Sequence, residues 1–437
     1  MKTIPKAPEF DQKTFDPSIL SEPDLKTKVE EFNDRYLHWS EVIMRVDSED
    51  EAVRVWNAMK FTRELSSVKL DLCGMQFSFC MIPLFTELLH YIDRDAAGRI
   101  ETRLSGEATT RRYMVNSLVE ESIASSQMEG AATTRKVAKQ MLLSGRKPHD
   151  LGEFMIVNNY LAMQEIKKHL NEELSPNLLL EMHRTITSKT LREGSQWEGR
   201  LRETDDIVIG DPDDEEKVYH RPPVHDVIPG MIQKLCDFAN SDDKPYIHPV
   251  IKAIILHYMI GYIHPFVDGN GRLARSLFYW YCIKNGYWLF EYTSISTTLK
   301  RSQVKYGYSY QFTESDGNDL TYFIKYNLEC IRRSVDDLTA YMDKKAREQN
   351  SAITLIEGDQ NLNLFEATVL KDMVKDMPTF SIYEIQNRYG VAYQTARKHV
   401  LHLTDLGYIS MIAKDGKRQL YRVNVHKMSE ASKNGNY

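Results

Sequence analysis

Residues 264–275 of this 437-residue chain bring together side chains that suit phosphate chemistry. His264 carries an imidazole, which titrates near neutrality and can take a proton from an attacking hydroxyl. Asp268 is a hard oxygen ligand of the kind that Mg²⁺ uses when it bridges phosphates. Arg272 and Arg275 share one face of a predicted helix, and their planar guanidinium groups suit phosphate oxygens.

The same segment has glycines on both sides of an asparagine. Gly269 and Gly271 are predicted to let the backbone approach an anion closely, and Asn270 is predicted to add a side-chain donor. A helix is predicted to resume at Leu273, and its N-terminus would offer free N–H groups to the same anion. A base, a metal ligand, an anion cradle and two arginines together predict phosphoryl or nucleotidyl transfer.

Other metal or disulfide chemistry is disfavoured. His257 and His264 lack a partner carboxylate at metal-ligand spacing, so a histidine-based metal site is not expected. The cysteines are odd in number and scattered, which predicts free thiols in a reducing compartment rather than a disulfide framework or a zinc site. They are Cys73, Cys80, Cys236, Cys282 and Cys330.

Helices must position the segment. Asp150 and Ser175 are predicted N-caps, and Pro176 suits a first helical position. A helix opens at His248–Pro249, and its apolar residues fit a single buried stripe. Two short runs, Ile207–Gly210 and Val218–His220, flank an acidic turn and predict a β-hairpin.

The chain divides into four predicted parts. Residues 1–109 form an N-terminal arm and a module that is helical from residue 26 to about 110. Residues 110–330 form a central helical domain, and residues 331–361 form a linker. Residues 362–437 predict helix, turn, helix and hairpin, with a second helix near residues 393–406 and a tight turn at Asp415–Gly416.

Composition excludes several classes of protein. A hydrophobic fraction of 42% is ample for packed cores, and a net charge of −6 provides no overall basic field for nucleic acid. The N-terminus lacks the apolar segment of a signal peptide, and the most apolar stretch, residues 77–92, is too short to span a bilayer. A cytoplasmic protein without membrane contact is expected.

The segment His264–Arg275 resembles the signature of the Fic family, HPFx(D/E)GN(G/K)RxxR, at every defined position. The resemblance extends from about Thr110 to Ile324. It implies a mostly α fold with a Fic-type helical core, a small β-hairpin flap, an N-terminal helical module and a C-terminal winged helix-turn-helix. Fic enzymes mostly transfer AMP from ATP to Ser, Thr or Tyr of a target protein. ATP, Mg²⁺ and an unknown target protein are therefore the implied partners, and a homo-oligomer is left open.

The resemblance also implies roles for individual residues. His264 would be the general base, Asp268 the Mg²⁺ ligand, and Phe266 the residue that holds the loop. Arg272 would bind the β- and γ-phosphates and Arg275 the γ-phosphate. Further nucleotide contacts are implied in the same segment, at Gly269, Asn270, Gly271, Leu273 and Ala274. In the flap they are Ile207, Val208, Ile209 and Gly210. At the adenine they are Tyr308 and Asp316.

An upstream segment, Ser125–Gly130, resembles the inhibitory pattern of the family, (S/T)xxxE(G/N). Ser125 and Glu129 are four residues apart, so both lie on one helix face. The resemblance implies that Glu129 pairs with Arg275 and occupies the arginine that the γ-phosphate needs. It therefore implies a class II, autoinhibited enzyme.

Three hypotheses for function stay open. The first is an AMP-transferring enzyme, which the complete loop favours. The second is a DNA-binding regulator whose Fic core senses nucleotide without turnover, and the third is a Fic enzyme that uses UTP or phosphocholine or transfers phosphate itself. DNA contact, with protein contact as its alternative, is suggested by basic residues predicted to be exposed on the recognition helix and the wing: Arg397, Lys398, His399, Lys414, Lys417 and Arg418.

Overall fold

The computed structural model describes residues 4–94, 107–211, 214–242, 244–377, 379–415 and 418–434. Most of these residues lie in α-helices, and the strands within these ranges form separate two-stranded antiparallel hairpins. No helix in the described ranges is both long and apolar enough to cross a bilayer. The fold is mostly α, as the sequence predicts.

The N-terminal part is a helical module that ends in a hairpin and a helix. Its first three helices enclose a small core of their own, in which Trp56 and Val42 are fully buried. The elements are α1 (Pro23–Asp34), α2 (Trp39–Val42), α3 (Glu49–Ser66), β1 (Ser67–Leu72), β2 (Met75–Cys80) and α4 (Pro83–Arg94).

The hairpin β1–β2 corrects the prediction that this module is entirely helical. Cys73 and Gly74 join the strands with positive φ angles of 58° and 84°, which two-residue hairpin turns require. Phe77 and Phe79 alternate along β2 and are buried in the same core as the central helices. The hairpin and α4 therefore share the core of the central helices, whereas α1 to α3 keep a separate core.

The central part packs its helices around α10 and α11. These two helices lie side by side, and their residues form the centre of the largest core. The elements are α5 (Glu107–Met128), α6 (Arg135–Ser144), α7 (Leu151–Glu165), α8 (Pro176–Thr187), β3 (Ile209–Asp211), β4 (Asp214–His220), α9 (Ile228–Asn240), α10 (Pro249–Ile263), α11 (Asn270–Lys284), α12 (Ile295–Arg301), α13 (Gln303–Ser315) and α14 (Thr321–Gly358).

The predicted caps are found where the sequence places them. The side chains of Asp150 and Ser175 accept bonds from the backbone N–H groups of Glu153 and Leu178, at 2.8 and 3.2 Å. The predicted single stripe on α10 is wrong, because α10 is buried on all of its faces from Val250 to Ile260.

The predicted linker at residues 331–361 lies almost entirely inside helix α14. The sequence is charged there, but Ile331, Val335, Leu338 and Met342 recur at helical spacing and are buried. One apolar face is enough to keep the helix packed while the other faces stay polar. The helix therefore continues directly toward the C-terminal module.

The C-terminal module has its own core. Its helices and hairpin follow the predicted order, and a bridge between Phe380 and Tyr421 adds a short third strand position beside the hairpin. Gly416 of the predicted turn and Lys417 of the predicted wing lie outside the described residues. The elements are α15 (Leu364–Asp376), α16 (Ile382–Tyr389), α17 (Tyr393–Asp405), β5 (Ile409–Asp415), β6 (Arg418–Val423) and α18 (Val425–Asn434).

One exposed position predicted in this module is wrong. His399 is mostly covered, and its Nδ1 lies 2.9 Å from a carboxylate oxygen of Glu366 on α15. Arg397 and Lys398 are exposed on α17, as predicted. The difference arises because His399 lies on the side of α17 that faces α15.

Candidate active site

The loop between α10 and α11 starts at His264. This residue ends α10 in the left-handed conformation, with φ at 48°, and its Nδ1 lies 3.3 Å from the carbonyl oxygen of Gly261. Nδ1 is therefore the protonated nitrogen, and Nε2 is left as an acceptor. Burial lowers the pKa of His264 to about 4, so the ring is neutral at pH 7 and can accept a proton.

Asn270 closes the loop. Its amide oxygen accepts a bond from the N–H of Phe266, and its amide nitrogen donates to the carbonyl of Phe266, at 3.0 and 2.8 Å. Both ends of the side chain are thus used within the protein. The amide nitrogen carries two hydrogens and only one of them is used in this bond, so the anion-binding donor of Asn270 stays a prediction.

Helix α11 begins at Asn270, three residues earlier than the sequence predicts. Gly269 precedes it with φ at 86°, and a Cβ atom there would lie 2.6 Å from Thr187. The side chains of Leu273 and Ala274 are buried in the core, and the N–H of Leu273 already donates to Gly269. Leu273 and Ala274 are predicted nucleotide contacts, but their side chains point into the core and not toward the surface of the loop.

Asp268 is the accessible carboxylate of the loop. Its side chain is about half exposed (46%), and one oxygen accepts a 2.5 Å bond from the N–H of Gly269. No group of three or more His, Cys, Asp or Glu side chains among the described residues could hold a metal ion unaided. A single carboxylate does fit Mg²⁺, which commonly takes its other ligands from water and substrate phosphates.

The two arginines have different surroundings. Arg272 is fully buried and donates to the carbonyl oxygen of Ile186 at 3.1 Å, while its Nε has no hydrogen-bond partner among the described residues. Burial lowers the pKa of Arg272 below its usual value. Arg275 donates from Nε to the hydroxyl of Ser125 at 2.8 Å and from a terminal nitrogen to the Ser125 carbonyl at 3.0 Å.

Arg275 also forms an ion pair with Glu129. The distance between its terminal nitrogen and a carboxylate oxygen of Glu129 is 2.8 Å. Burial would raise the pKa of Glu129, but the charge and hydrogen bond of Arg275 hold it below its usual value. A Cβ atom placed on Gly271 would overlap the Glu129 carboxylate, so this carboxylate lies directly over the first turn of α11.

The predicted flap is a short hairpin beside the loop. Ile209 and Gly210 pair with His220 and Val218, whereas Ile207 and Val208 precede the strand. Val208 is exposed. The base of the flap is fixed because the ring of His220 bonds Glu314 on α13 at 2.8 Å and the carbonyl oxygen of Tyr262 on α10 at 2.7 Å.

Comparison with known proteins places part of the chain near the Fic/DOC family. Residues 173–282 match the model of the Fic/DOC family. The chain contains a Fic/DOC domain. The chain is also 27% identical over 187 residues to "Protein adenylyltransferase Fic" of Nematostella vectensis, covering 41% of this chain and 39% of that protein. The protein of the same name from Drosophila willistoni is 26% identical over 209 residues, covering 47% and 37%.

The chain thus spans about two fifths of the length of these relatives. Two solved structures resemble the fold. A Fic family protein from Desulfovibrio desulfuricans G20 aligns with a TM-score of 0.51 at 20% identity, covering 79% of this chain and 97% of that one. Fic-1 from C. elegans aligns with a TM-score of 0.50 at 18% identity, covering 76% and 89%.

Two tyrosines of helix α13, Tyr306 and Tyr310, contact α10. Tyr310 faces α10, because a Cβ atom on Gly261 would lie 2.5 Å from its hydroxyl oxygen. Tyr306, one turn earlier, bonds the buried His257 at 2.7 Å. Tyr308 lies between them in sequence and stacks on Phe312, with ring centroids 5.9 Å apart.

Asp316, the other predicted adenine contact, has both carboxylate oxygens engaged. One accepts a 2.8 Å bond from Lys60 of α3, and the other accepts a 2.9 Å bond from the hydroxyl of Tyr322. Asp316 therefore joins the N-terminal module to the Fic domain. The adenine contacts of Tyr308 and Asp316 stay predictions.

Two residues that the sequence did not single out hold the loop. His183 of α8 stacks on Phe266, with ring centroids 3.7 Å apart, and its Nε2 lies 2.8 Å from the carbonyl oxygen of Asp268. Arg202 donates to the carbonyl oxygen of His264 at 3.0 Å. Phe266 is buried, as predicted. A polar histidine among the apolar residues of α8 could have indicated a role for His183. Arg202 lies in a loop, where no periodic sequence pattern could have indicated it.

Proposed function

We propose that this chain is a protein adenylyltransferase that transfers AMP from ATP to a Ser, Thr or Tyr hydroxyl of a target protein. One observation carries the proposal: the Glu129 carboxylate lies over Gly271 in the first turn of α11, where it bonds Arg275 and interacts electrostatically with His264. This turn offers N–H groups and partial positive charge to an anion. The names of the sequence relatives support the same reaction.

In the proposed reaction, the target hydroxyl attacks the α-phosphorus of ATP. A new oxygen–phosphorus bond forms, the bond to the β-phosphate oxygen breaks, and pyrophosphate leaves. The hydroxyl proton goes to Nε2 of His264, which burial keeps neutral and ready to accept it. Arg275 would neutralise charge on the triphosphate. Mg²⁺ bound at Asp268 would offset phosphate charge.

The resting enzyme is proposed to be autoinhibited. Glu129 occupies the guanidinium of Arg275 and lies over Gly271, where a γ-phosphate would otherwise settle. Two anions cannot share this position without strong repulsion. ATP is then held with its α-phosphorus out of line for attack, which slows transfer without preventing nucleotide binding.

Labelling with isotopic ATP tests the reaction. Incubation of the Glu129→Gln variant with ATP labelled at the α-phosphate should label protein, whereas ATP labelled at the γ-phosphate should not. Intact mass should rise by one AMP. Label from the γ-phosphate would indicate phosphate transfer instead, and stronger labelling from UTP would identify a different donor. Nucleotide binding without label from any donor would favour a sensor.

A second proposed activity is binding of duplex DNA by the C-terminal module. Arg397 and Lys398 are exposed on α17 with the neighbouring Gln394, and Lys414 is exposed on β5. Cations in this arrangement can contact phosphates. The full chain should bind a mixed-sequence duplex with an affinity that falls steeply as salt rises, and Arg397→Ala with Lys398→Ala should reduce both affinity and salt dependence. Binding that ignores salt would contradict this proposal.

A further inference from the structure

The turn that carries Glu129 connects two helices over a short distance. The N–H groups of Glu129 and Ala131 both donate to the carbonyl oxygen of Ser126, at 3.1 and 3.0 Å, and Gly130 has φ at 91°. Helix α6 begins soon afterwards, at Arg135. Because the connection is short, a displacement of Glu129 from Arg275 disturbs the end of α5, the start of α6, or both.

Helix α6 is fixed to α5 on one side. Arg135 of α6 forms two hydrogen bonds with the carboxylate of Glu120 on α5, at 2.6 and 2.5 Å. Ala138 and Met141 are buried in a small core together with Ile123 of α5. The two helices that flank Glu129 therefore behave as one packed pair.

The C-terminal module contacts this pair through α16, which packs against both α5 and α6. The side-chain amide of Asn387 donates to the carbonyl oxygen of Leu143 at the end of α6. Tyr383 lies against Gly145, where a Cβ atom would be 2.5 Å from the tyrosine hydroxyl. These two contacts, Tyr383 with Gly145 and Asn387 with Leu143, are called the brace contact.

The brace contact ties the module to the C-terminal end of α6, whereas Glu129 lies just before the N-terminal end of α6. The module is also attached to the long helix α14, against which α15 and α18 pack. Since α14 belongs to the Fic core, the module spans from that core to the outer side of α6. Movement of α6 away from the Fic core must therefore break the brace contact or move the module.

We propose that the C-terminal module is a second inhibitory element: through the brace contact it holds α5 and α6 in the position that keeps Glu129 on Arg275. The inference rests on the proposed function, because it concerns the same autoinhibited site. A ligand that binds the module better when it is detached from α6 would raise the transfer rate, since it would shift the population toward the released state. The module would then convert binding of its partner into catalytic activity.

The test is a double-mutant cycle in the full-length chain. Tyr383→Ala with Asn387→Ala removes the brace contact, and Tyr383 is exposed, so the module core is left intact. Self-labelling from ATP carrying label at the α-phosphate is measured with and without Glu129→Gln. We expect loss of the brace contact to raise the rate on the order of fivefold in the wild-type background. We expect no further rise on top of Glu129→Gln.

A control and a second measurement complete the design. Leu401→Ala changes an exposed residue of α17 and should leave the rate unchanged. Amide hydrogen exchange in residues 126–144 should become faster in the brace variant but not in the control. An unchanged rate and unchanged exchange in the brace variant would overturn the proposal, as would an equal rise in both backgrounds, because the module would then not act through Glu129.

The two proposals fail in different ways. If Glu129→Gln labels protein and the brace variant does not differ from wild type, the brace fails and the transferase stands. If Glu129→Gln labels nothing with α-labelled ATP, the transferase proposal fails. In that case the amide hydrogen exchange rates of residues 126–144 alone test whether the brace contact holds α5 and α6.

Discussion

The loop between α10 and α11 and the end of α5 with Ser125 and Glu129 lie side by side but are held in different ways. The loop is fixed from several directions, by the ring of His183, the guanidinium of Arg202 and the side chain of Asn270. Ser125 and Glu129 both contact the one guanidinium of Arg275. Glu129 can therefore leave Arg275 without any loss of the contacts that fix the loop.

The largest expected effect is at the loop. His264→Ala should lower the rate of AMP transfer by about 10²–10⁴-fold, the usual effect of removing a general base. ATP affinity should change little, because the imidazole acts on the target hydroxyl and not on the triphosphate. The rate is measured by labelling in the Glu129→Gln background and the affinity by calorimetry. Wild-type labelling by the alanine variant would remove His264 from the mechanism.

Removing the charge of Glu129 should raise the rate of AMP transfer, the opposite of the effect expected at His264. Glu129→Gln keeps the shape of the side chain but removes its charge, so transfer should rise by roughly 10²-fold as Arg275 becomes available to phosphate. Arg275→Ala added to this variant should cancel the gain. Equal rates for wild type and Glu129→Gln would show that the ion pair does not limit turnover.

As the pH falls, the free energy of unfolding should decrease before the ion pair between Glu129 and Arg275 is lost. Burial lowers the pKa of His183 to about 4 and those of His38 and His257 to about 3. The unfolded chain binds these protons near pH 6.5, so the stabilisation is complete above that pH and declines as the pH falls. Each histidine should reduce the free energy of unfolding by about 2 kcal/mol between pH 7 and pH 5.

Denaturant unfolding at pH 7, 6 and 5 measures this loss. Glu129 provides the contrast, because Arg275 overcomes the effect of burial and holds its pKa below the usual value. The ion pair is therefore expected to persist over the same pH range. A stability that stays constant from pH 7 to pH 5 would contradict the neutral, buried state of these histidines.

The smallest expected effects are on the free energy of unfolding, for one residue that holds the loop and one residue at the end of α5. His183→Ala removes a stacked ring and two hydrogen bonds from the loop and should lower the free energy of unfolding by about 3 kcal/mol. Ser125→Ala removes one hydroxyl contact to Arg275 and should lower it by about 1 kcal/mol. Similar losses for the two variants would mean that the turn is as firmly built as the loop.

Much of the helical framework and the residue types of the loop can be predicted from the sequence. The residue types at His264, Asp268 and Arg275 predict a base, a metal ligand and a phosphate clamp from their chemistry alone. Caps such as Asp150 and Ser175 could also be predicted, because they act on the backbone of their own helix within a few residues. The hairpin at residues 67–80 is equally local, because its alternating pattern lies within a few residues of its turn.

Which polar groups already have partners within the protein depends on the packing of distant segments. Asn270 uses both ends of its amide within the loop, Asp316 is taken by Lys60 and Tyr322, and His399 is turned toward Glu366. The predicted linker lies mostly within the long helix α14. Its apolar residues stabilise that helix only because the core packs against them. Hydrogen bonds and burial between residues distant in sequence depend on packing, and no local pattern encodes them.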